Sequence, residues 1–152
     1  MRIGVLTAGG DCPGLNAVIR SVVHRAVDNY GDEVIGFEDG YAGLLDGRYR
    51  SLDLNAVSGI LARGGTILGS SRLERDRLRE ACENAADIVT DFGIDALIPI
   101  GGEGTLTAAR MLADAGLSSV KQSAEAHRYQ QRAGDTARCV SEFSPQAATA
   151  PA

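Results

Sequence analysis

The chain has 152 residues, of which 44% are hydrophobic, so we expect one globular domain with a substantial core. Its formal net charge of −5 argues against a broad nucleic-acid surface or a patch for anionic membranes, but it leaves room for a small anionic ligand. No apolar run is long enough to span a membrane. The chain opens on a predicted strand rather than a signal peptide, and its 3 cysteines lack metal or disulfide spacing. We therefore expect a cytoplasmic protein with reduced thiols.

Aliphatic runs and helical periods alternate along the first 117 residues. The pattern predicts a buried strand at Arg2–Thr7, a helix at Leu15–Val27 and a second strand at Glu33–Asp39. It then predicts a short helix at Leu54–Ala62, a short strand at Thr66–Leu68, a long helix at Leu73–Phe92, a strand at Ala96–Ile100 and a helix at Thr105–Ala115. Such alternation indicates an α/β fold in which a parallel sheet has helices on both faces and ligands bind at the carboxyl ends of the strands.

The long helix predicted at Leu73–Phe92 is amphipathic. Its outer face carries a dense arrangement of arginine, glutamate and aspartate, which is typical of a solvated surface. Its core face is predicted to consist of Leu78, Ala81, Cys82, Ala85, Val89 and Phe92.

Two glycine clusters each follow a predicted strand and open a helix. The first contains Gly9 and Gly10, and the second has the sequence GGEGT at positions 101–105. Glycine lets backbone N–H groups approach a phosphate closely, and a helix N-terminus favours negative charge. Because both clusters follow parallel strands, we expect them to face one pocket that holds a polyphosphate. For the first cluster, the alternative is an ordinary strand-to-helix turn that needs glycine for packing.

Four side chains near these clusters are candidates for the same pocket. Glu103 would hold Mg²⁺, which prefers one or two carboxylates plus phosphate oxygens; alternatively, it only stabilises the helix dipole. Thr105 would cap the following helix or bond a phosphate. Arg72 would clamp a phosphate with its planar guanidinium, or else lie on the surface at a helix start. Tyr41 would line the pocket, or else serve packing alone.

Neither cluster is a Walker A motif, and the GxGxxG fingerprint of dinucleotide-binding folds is absent. Four ordered segments instead resemble bacterial 6-phosphofructokinases: IGVLTAGGDCPGLNAVIR, GFEDGYAGL, RGGTILGSSR and GIDALIPIGGEGT. The resemblance covers residues 1–117 and implies the nucleotide-binding half of a Rossmann-like fold. NAD kinases and diacylglycerol kinases carry a loop similar to GGEGT and are the alternative, although they lack the TAGGDCPG and RGGT segments.

The resemblance implies phosphoryl transfer from Mg²⁺-bound ATP to fructose 6-phosphate in glycolysis, in a family of homotetramers. By motif position it implies an ATP site formed by Gly10, Tyr41, Arg72, Leu73, Gly102, Glu103, Gly104 and Thr105. Glu103 stands where the family usually has an aspartate and would also serve the Mg²⁺ ion. Gly104 favours ATP as the donor, because pyrophosphate-dependent relatives usually carry an aspartate there that would crowd and repel the α-phosphate.

The resemblance ends near residue 117, where the composition changes. Residues 118–152 are rich in Gln, Ser, Ala, Thr and Arg, and nothing in them matches the Thr-Ile-Asp-Asn-Asp segment that carries the family's catalytic base. We therefore assign no catalytic residue and predict that 118–152 is an irregular tail, disordered or produced by a frameshift, on a truncated sheet. The chain is then expected to carry the ATP and Mg²⁺ half alone; the alternative is a nucleotide-binding fragment without catalysis.

Overall fold

A four-stranded sheet organises residues 1–72 and 74–117, the part of the chain that the computed structural model describes. The strands are β1 (Arg2–Ala8), β2 (Glu33–Phe37), β3 (Tyr49–Ser51) and β4 (Ala96–Gly101), and their order across the sheet is β3-β2-β1-β4. β1 is parallel to both β2 and β4, whereas β3 pairs antiparallel with β2. The predicted parallel sheet is confirmed, and a short antiparallel strand is added at its edge.

Five α-helices connect or follow these strands in the described ranges. They are α1 (Leu15–Tyr30), α2 (Tyr41–Asp46), α3 (Arg75–Glu83), α4 (Ala85–Phe92) and α5 (Glu103–Leu112), which a π-helical turn at Ala113–Leu117 follows. Gly31, Gly47 and Gly93 end α1, α2 and α4 in the left-handed conformation that glycine adopts readily. None of the helices described here is both long and apolar enough to cross a lipid bilayer.

The helices cover both faces of the sheet, as predicted. Side chains alternate between the two faces along each strand. On one face, the strand residues Leu6, Ala8, Ile35 and Phe37 share a buried cluster with residues of α2, α3, α4 and α5. Ile3, Val5 and Val34 alternate with these and are also buried, as is the apolar side of α1. The sheet is therefore sandwiched between α1 on one side and the later helices on the other.

Two predicted elements between β3 and α3 are wrong. The predicted helix at Leu54–Ala62 is a series of turns that ends in one 3₁₀ turn at Ile60–Ala62, because Gly59 has a left-handed φ of 72°. The predicted strand at Thr66–Leu68 has no strand partner. Leu68 is nevertheless buried, because its side chain occupies the space beside Gly36 of β2 that a Cβ would otherwise fill. An aliphatic run there serves packing without sheet hydrogen bonds.

The single long helix predicted at Leu73–Phe92 is also wrong, since α3 and α4 meet at Asn84, whose φ of −100° and ψ of 12° interrupt the helix. The predicted core face is confirmed at Leu78, Ala81, Cys82 and Phe92. Ile88 is buried on the same side as well, although the predicted core face omitted it. The side chains of Ala85 and Val89, and all of Leu73, lie outside the described part of the chain.

Candidate functional site

The loops after β1 and β4 are neighbours, because these strands pair up to their last residues, Ala8 and Gly101. β2 lies on the other side of β1 from β4, so the order of the strands across the sheet reverses between β1 and β4. In open α/β sheets, ligands bind in the crevice at such a point, outside the carboxyl ends of the strands. A cleft of about 420 Å³ lies there. The sheet topology therefore brings both glycine clusters to one place, as predicted.

Most of the residues predicted for the phosphate pocket line this cleft. They are Gly10, Tyr41, Arg72, Gly102, Gly104 and Thr105. Glu103 lies between two lining glycines but is exposed and is not part of the lining itself. Leu73 lies outside the described residues, so its predicted place beside the nucleotide stays a prediction.

The glycines at the ends of β1 and β4 fall into two kinds. A Cβ on Gly101 would overlap the Ala8 carbonyl oxygen and the Thr105 side chain, so the packing of the two strands demands glycine at that position. At Gly10, Gly102 and Gly104, a Cβ would meet no atom within 4 Å. Protein packing thus explains Gly101, whereas the other glycines keep the cleft wall free of side chains.

The first cluster shows the same division. Gly9 has a φ of 92°, a conformation that side-chain-bearing residues rarely adopt. The turn itself therefore accounts for Gly9, in line with the packing alternative. Gly10 has no left-handed φ and faces open space, so the packing alternative does not extend to it. A backbone that is bare at this position suits close approach of a ligand.

α5 begins within the second glycine cluster. The helix begins at Glu103 with Gly102 as its N-cap residue, and no side chain caps it. The predicted cap at Thr105 is therefore wrong: Thr105 is the third residue of the helix, and its hydroxyl donates to the Ala8 carbonyl at 3.0 Å. The first N–H groups of a helix have no acceptor within the helix and carry the positive end of its dipole. This end of α5 favours an anion in the cleft.

Tyr41 lies between the hydrophobic core and the cleft and contacts both. Its ring belongs to the buried cluster under the later helices and also lines the cleft, so packing is not its only role. Its hydroxyl donates to the Thr105 carbonyl at 2.8 Å. Burial raises the pKa of the phenol well above its ordinary value. The hydroxyl therefore keeps its proton and remains a donor at any physiological pH.

Asn16, which sequence reasoning missed, anchors the glycine-rich segment at 63–72. Its side chain is 1% exposed. The amide oxygen accepts from the Ile67 N–H at 2.7 Å, and the amide nitrogen donates to the Arg63 carbonyl at 3.0 Å. A buried amide that bonds two backbone groups holds an irregular segment in place. The only sequence signal was a polar residue on the otherwise apolar face of α1.

Serine hydroxyls fasten the end of this segment beside the cleft. Ser70 donates to the Gly9 carbonyl at 3.2 Å, and Ser71 donates to the Asp39 carbonyl at 2.6 Å. Arg72 follows directly, is exposed and lines the cleft, which favours the pocket interpretation over the surface one. Gly9 of the first cluster also lines the cleft, and the lining residues that the prediction omitted are Ala8, Ser71, Leu78 and Ala108.

One carboxylate beside the cleft suits a divalent metal ion that a ligand's phosphates help to hold. Among the described residues, no three or more His, Cys, Asp or Glu side chains are grouped as a metal site. Glu103 supplies one exposed carboxylate between two residues that line the cleft. Mg²⁺ is commonly bound through one or two carboxylates plus substrate phosphates rather than by a cage of protein ligands. Glu103 would accordingly be the protein's contribution to such an ion.

Comparison with known proteins identifies the family of this fold. A sequence model described as "Phosphofructokinase" matches residues 2–125. The chain belongs to the phosphofructokinase family. This membership sets aside the NAD-kinase and diacylglycerol-kinase alternative. The match extends past residue 117, while the predicted division of the chain at that residue stays a prediction.

Two curated phosphofructokinase relatives bear on the phosphate donor. The chain is 92% identical over 120 residues to ATP-dependent 6-phosphofructokinase 2 of Streptomyces coelicolor, which covers 79% of this chain and 35% of the relative. It is 52% identical to a pyrophosphate–fructose 6-phosphate 1-phosphotransferase of Amycolatopsis methanolica, with the same coverage. The chain thus spans about a third of the length of the curated relatives that it matches.

A solved phosphofructokinase supports the fold. The structure from Saccharomyces cerevisiae superposes with a TM-score of 0.69 at 38% identity, and the match covers 78% of this chain and 16% of that one. The structural superposition and the sequence comparisons therefore both relate most of this chain to phosphofructokinases.

Proposed function

We propose that this chain carries the ATP and Mg²⁺ half of a 6-phosphofructokinase, which transfers a phosphoryl group from ATP to fructose 6-phosphate in glycolysis. One observation carries the proposal: Gly10, Gly102 and Gly104 line a single cleft, and none has a neighbouring atom that would exclude a side chain. Bare backbone from two strand ends, next to the N-terminus of α5, suits a chain of phosphates.

In this proposal, each element around the cleft has a separate task. N–H groups near Gly10 and at the start of α5 bind the phosphates, and Arg72 reaches the transferring phosphate with its guanidinium. Glu103 holds Mg²⁺, which neutralises phosphate charge when it is bound. The Tyr41 ring borders the nucleotide from the buried side, and Leu73 would lie against the nucleotide beyond Arg72.

ATP is the proposed donor because of the space over Gly104. A Cβ there would meet nothing within 4 Å, so an α-phosphate has room beside the backbone. Relatives named for ATP and for pyrophosphate both align with this chain at more than 50% identity, so family membership does not choose between them. The open glycine is what supports ATP over pyrophosphate.

The acceptor side is proposed to lie outside residues 1–117. No residue of the described part is assigned as a catalytic base, and the chain spans 35% of its Streptomyces coelicolor relative. We expect this polypeptide to bind Mg·ATP and to phosphorylate fructose 6-phosphate negligibly on its own. A cytoplasmic location and a homotetrameric complete enzyme belong to the same proposal. Normal production of fructose 1,6-bisphosphate by this chain alone, in a coupled assay, would contradict it.

Calorimetric titration of Mg·ATP into the purified chain tests the donor site, after a thermal melt has shown cooperative unfolding. Gly104→Asp places bulk and negative charge over the proposed phosphates, so the affinity should fall at least about tenfold. Gly64→Asp is the matched control, because a Cβ there also meets nothing within 4 Å but Gly64 does not line the cleft. Equal affinity in wild type and Gly104→Asp would remove the ATP assignment.

The metal role of Glu103 needs its own variant. Glu103→Gln keeps the shape of the side chain and removes its charge, so ATP binding should lose most of its dependence on Mg²⁺ concentration while the melt stays nearly unchanged. Glu83→Gln on the exposed end of α3 is the control for the loss of one surface charge. An unaltered Mg²⁺ dependence in Glu103→Gln would reject this ligand.

A further inference from the structure

We propose that Thr105 is a positioning residue that sets the separation of the two glycine loops across the cleft; this inference rests on the proposed function. Thr105 is 5% exposed. Its hydroxyl donates to the carbonyl of Ala8 at the end of β1, at 3.0 Å. Its own carbonyl accepts the hydroxyl of Tyr41 at 2.8 Å. One residue thus ties the start of α5 to the strand end beneath Gly9 and to the start of α2.

We call the two hydrogen bonds of Thr105, to the Ala8 carbonyl and from the Tyr41 hydroxyl, the Thr105 tie. The carboxyl ends of β1, β2 and β4 lie close together around this tie. A Cβ on Gly40, just after β2, would lie 2.7 Å from the Thr7 carbonyl oxygen and 3.2 Å from the Ala8 Cβ. A Cβ on Gly9 would lie 3.5 Å from the Thr105 hydroxyl oxygen. Close packing on this scale leaves little space for the loops to shift while the hydrogen bonds are intact. Thr105 lies at the centre of this contact.

The side chain of Thr105 therefore acts through the loops rather than on a phosphate. Its single hydroxyl proton is committed to the Ala8 carbonyl, so the side chain does not donate it to a ligand. The Tyr41 proton is committed in the same way to the Thr105 carbonyl. What the tie controls is the position of the Gly10 backbone on one side of the cleft and of Gly102 and Gly104 on the other.

Loss of the hydroxyl should loosen both loops at once. Thr105→Val keeps the size and branching of the side chain but leaves the buried Ala8 carbonyl without this donor. A triphosphate that spans both loops needs them in register, and small displacements weaken such binding strongly. Because binding must then bring the two loops back into register, we expect the dissociation constant for Mg·ATP to rise about tenfold.

Two measurements on the full chain test this tie. Calorimetry gives the Mg·ATP affinity at a temperature at which the melt of each variant shows that it is folded. Amide hydrogen exchange without ligand reports opening of the two loops through their hydrogen-bonded amides, Leu15 to the Cys12 carbonyl and Leu106 to the Gly102 carbonyl. Thr107→Val is the matched control: Thr107 lies on the same helix and donates to the Glu103 carbonyl at 3.0 Å, but it is exposed and links no second loop. Thr105→Ser restores the hydroxyl and serves as the rescue.

We expect Thr105→Val to weaken Mg·ATP binding about tenfold and to accelerate exchange of the Leu15 N–H, which closes the opposite loop by its bond to the Cys12 carbonyl. Thr105→Ser should stay near wild type in both measurements, and Thr107→Val should change neither. A purely stabilising role would lower the melting temperature without these effects. Unchanged exchange at Leu15 in Thr105→Val, or failure of the serine to restore it, overturns the inference. Absence of Mg·ATP binding in the wild type would defeat the proposed function instead, and exchange alone would then decide the tie.

Discussion

The two loops at the strand ends and the segment at 63–72 are both rich in glycine, but they use glycine differently. In the loops, Gly10, Gly102 and Gly104 face open space in the cleft. In the segment, Gly69 has a φ of 72°, and a Cβ on it would lie 2.5 Å from a carboxylate oxygen of Asp39. The fold of the segment thus requires glycine at position 69, whereas nothing in the fold requires glycine at positions 10, 102 and 104.

This difference shows that the number of glycines does not identify a binding site. The useful quantity is whether an added Cβ would meet protein or empty space. By that measure Gly65 and Gly69 support the segment at 63–72, whereas Gly64 is open but does not line the cleft. Only Ser71 and Arg72 of this segment line it. The strand-end loops are the surface that the proposed ligand would touch.

Removal of the segment's anchor should give the largest effect. Asn16→Ala leaves the Ile67 N–H and the Arg63 carbonyl without their partner, so we expect a loss of about 3 kcal/mol in the free energy of unfolding. Urea denaturation measures it. Ser21→Ala, which removes an exposed hydroxyl on the same helix, should cost less than about 0.5 kcal/mol. Equal costs for the two variants would show that the segment is not held by Asn16.

Gly69→Ala should destabilise the chain by about 2 kcal/mol, because alanine is unfavourable at a left-handed φ and its Cβ meets Asp39. Gly64→Ala in the same segment has open space and no left-handed φ, so its effect should stay within about 0.5 kcal/mol. Thermal melts of the pair compare a packed glycine with an open one. Similar melting temperatures would break the distinction on which the site rests.

The open glycine on α5 should behave in the opposite way. Gly104→Ala places a better helix former within the first turn, so stability should rise by up to about 1 kcal/mol. The added methyl group occupies the cleft, so Mg·ATP affinity should fall. A variant that is more stable and also binds ATP as tightly as wild type would show that nothing lies over this backbone.

The smallest effect concerns the surface ion pairs beside the segment. The hydrogen bond from Arg77 lowers the pKa of Asp46 below its ordinary value, and the nearby charge of Arg48 acts in the same direction. A lowered pKa means that the contribution of Asp46 to stability is complete above its unfolded pKa and is lost as the pH falls through the lower, folded value. Between about pH 5 and pH 3, wild type should lose slightly more stability than Asp46→Asn, as urea denaturation at each pH would measure. Identical pH dependence of stability in wild type and Asp46→Asn would show that the Arg77–Asp46 pair does not stabilise the chain.

The sequence predicted the central strands and α1 because their apolar residues repeat regularly. β1, β2 and β4 lie within two residues of their predicted ends, and both glycine clusters follow strands as expected. Parallel strands present their carboxyl ends at one edge, so the meeting of the clusters was also predictable. Regular burial patterns are what a single sequence reveals well.

The missed elements lack such a pattern. All three residues of β3 are exposed, and α2 has six residues with a glycine inside it, so neither shows a helical or strand period. The Tyr41–Thr105 hydrogen bond joins residues 64 positions apart and depends on the folded sheet. The anchoring by Asn16 likewise depends on tertiary contact rather than on local preference. Long-range polar contacts were therefore the part of the site beyond sequence reasoning.

The most direct test of one cleft formed by both loops is an NMR titration of the isotope-labelled chain with Mg·ATP. The backbone amide signals of Gly10, Gly102 and Gly104 should all shift and fit one dissociation constant, while those of Gly64 and Gly69 should shift little. Movement of the α5 glycines without any response at Gly10, or no response at all three, would contradict one cleft formed by both loops.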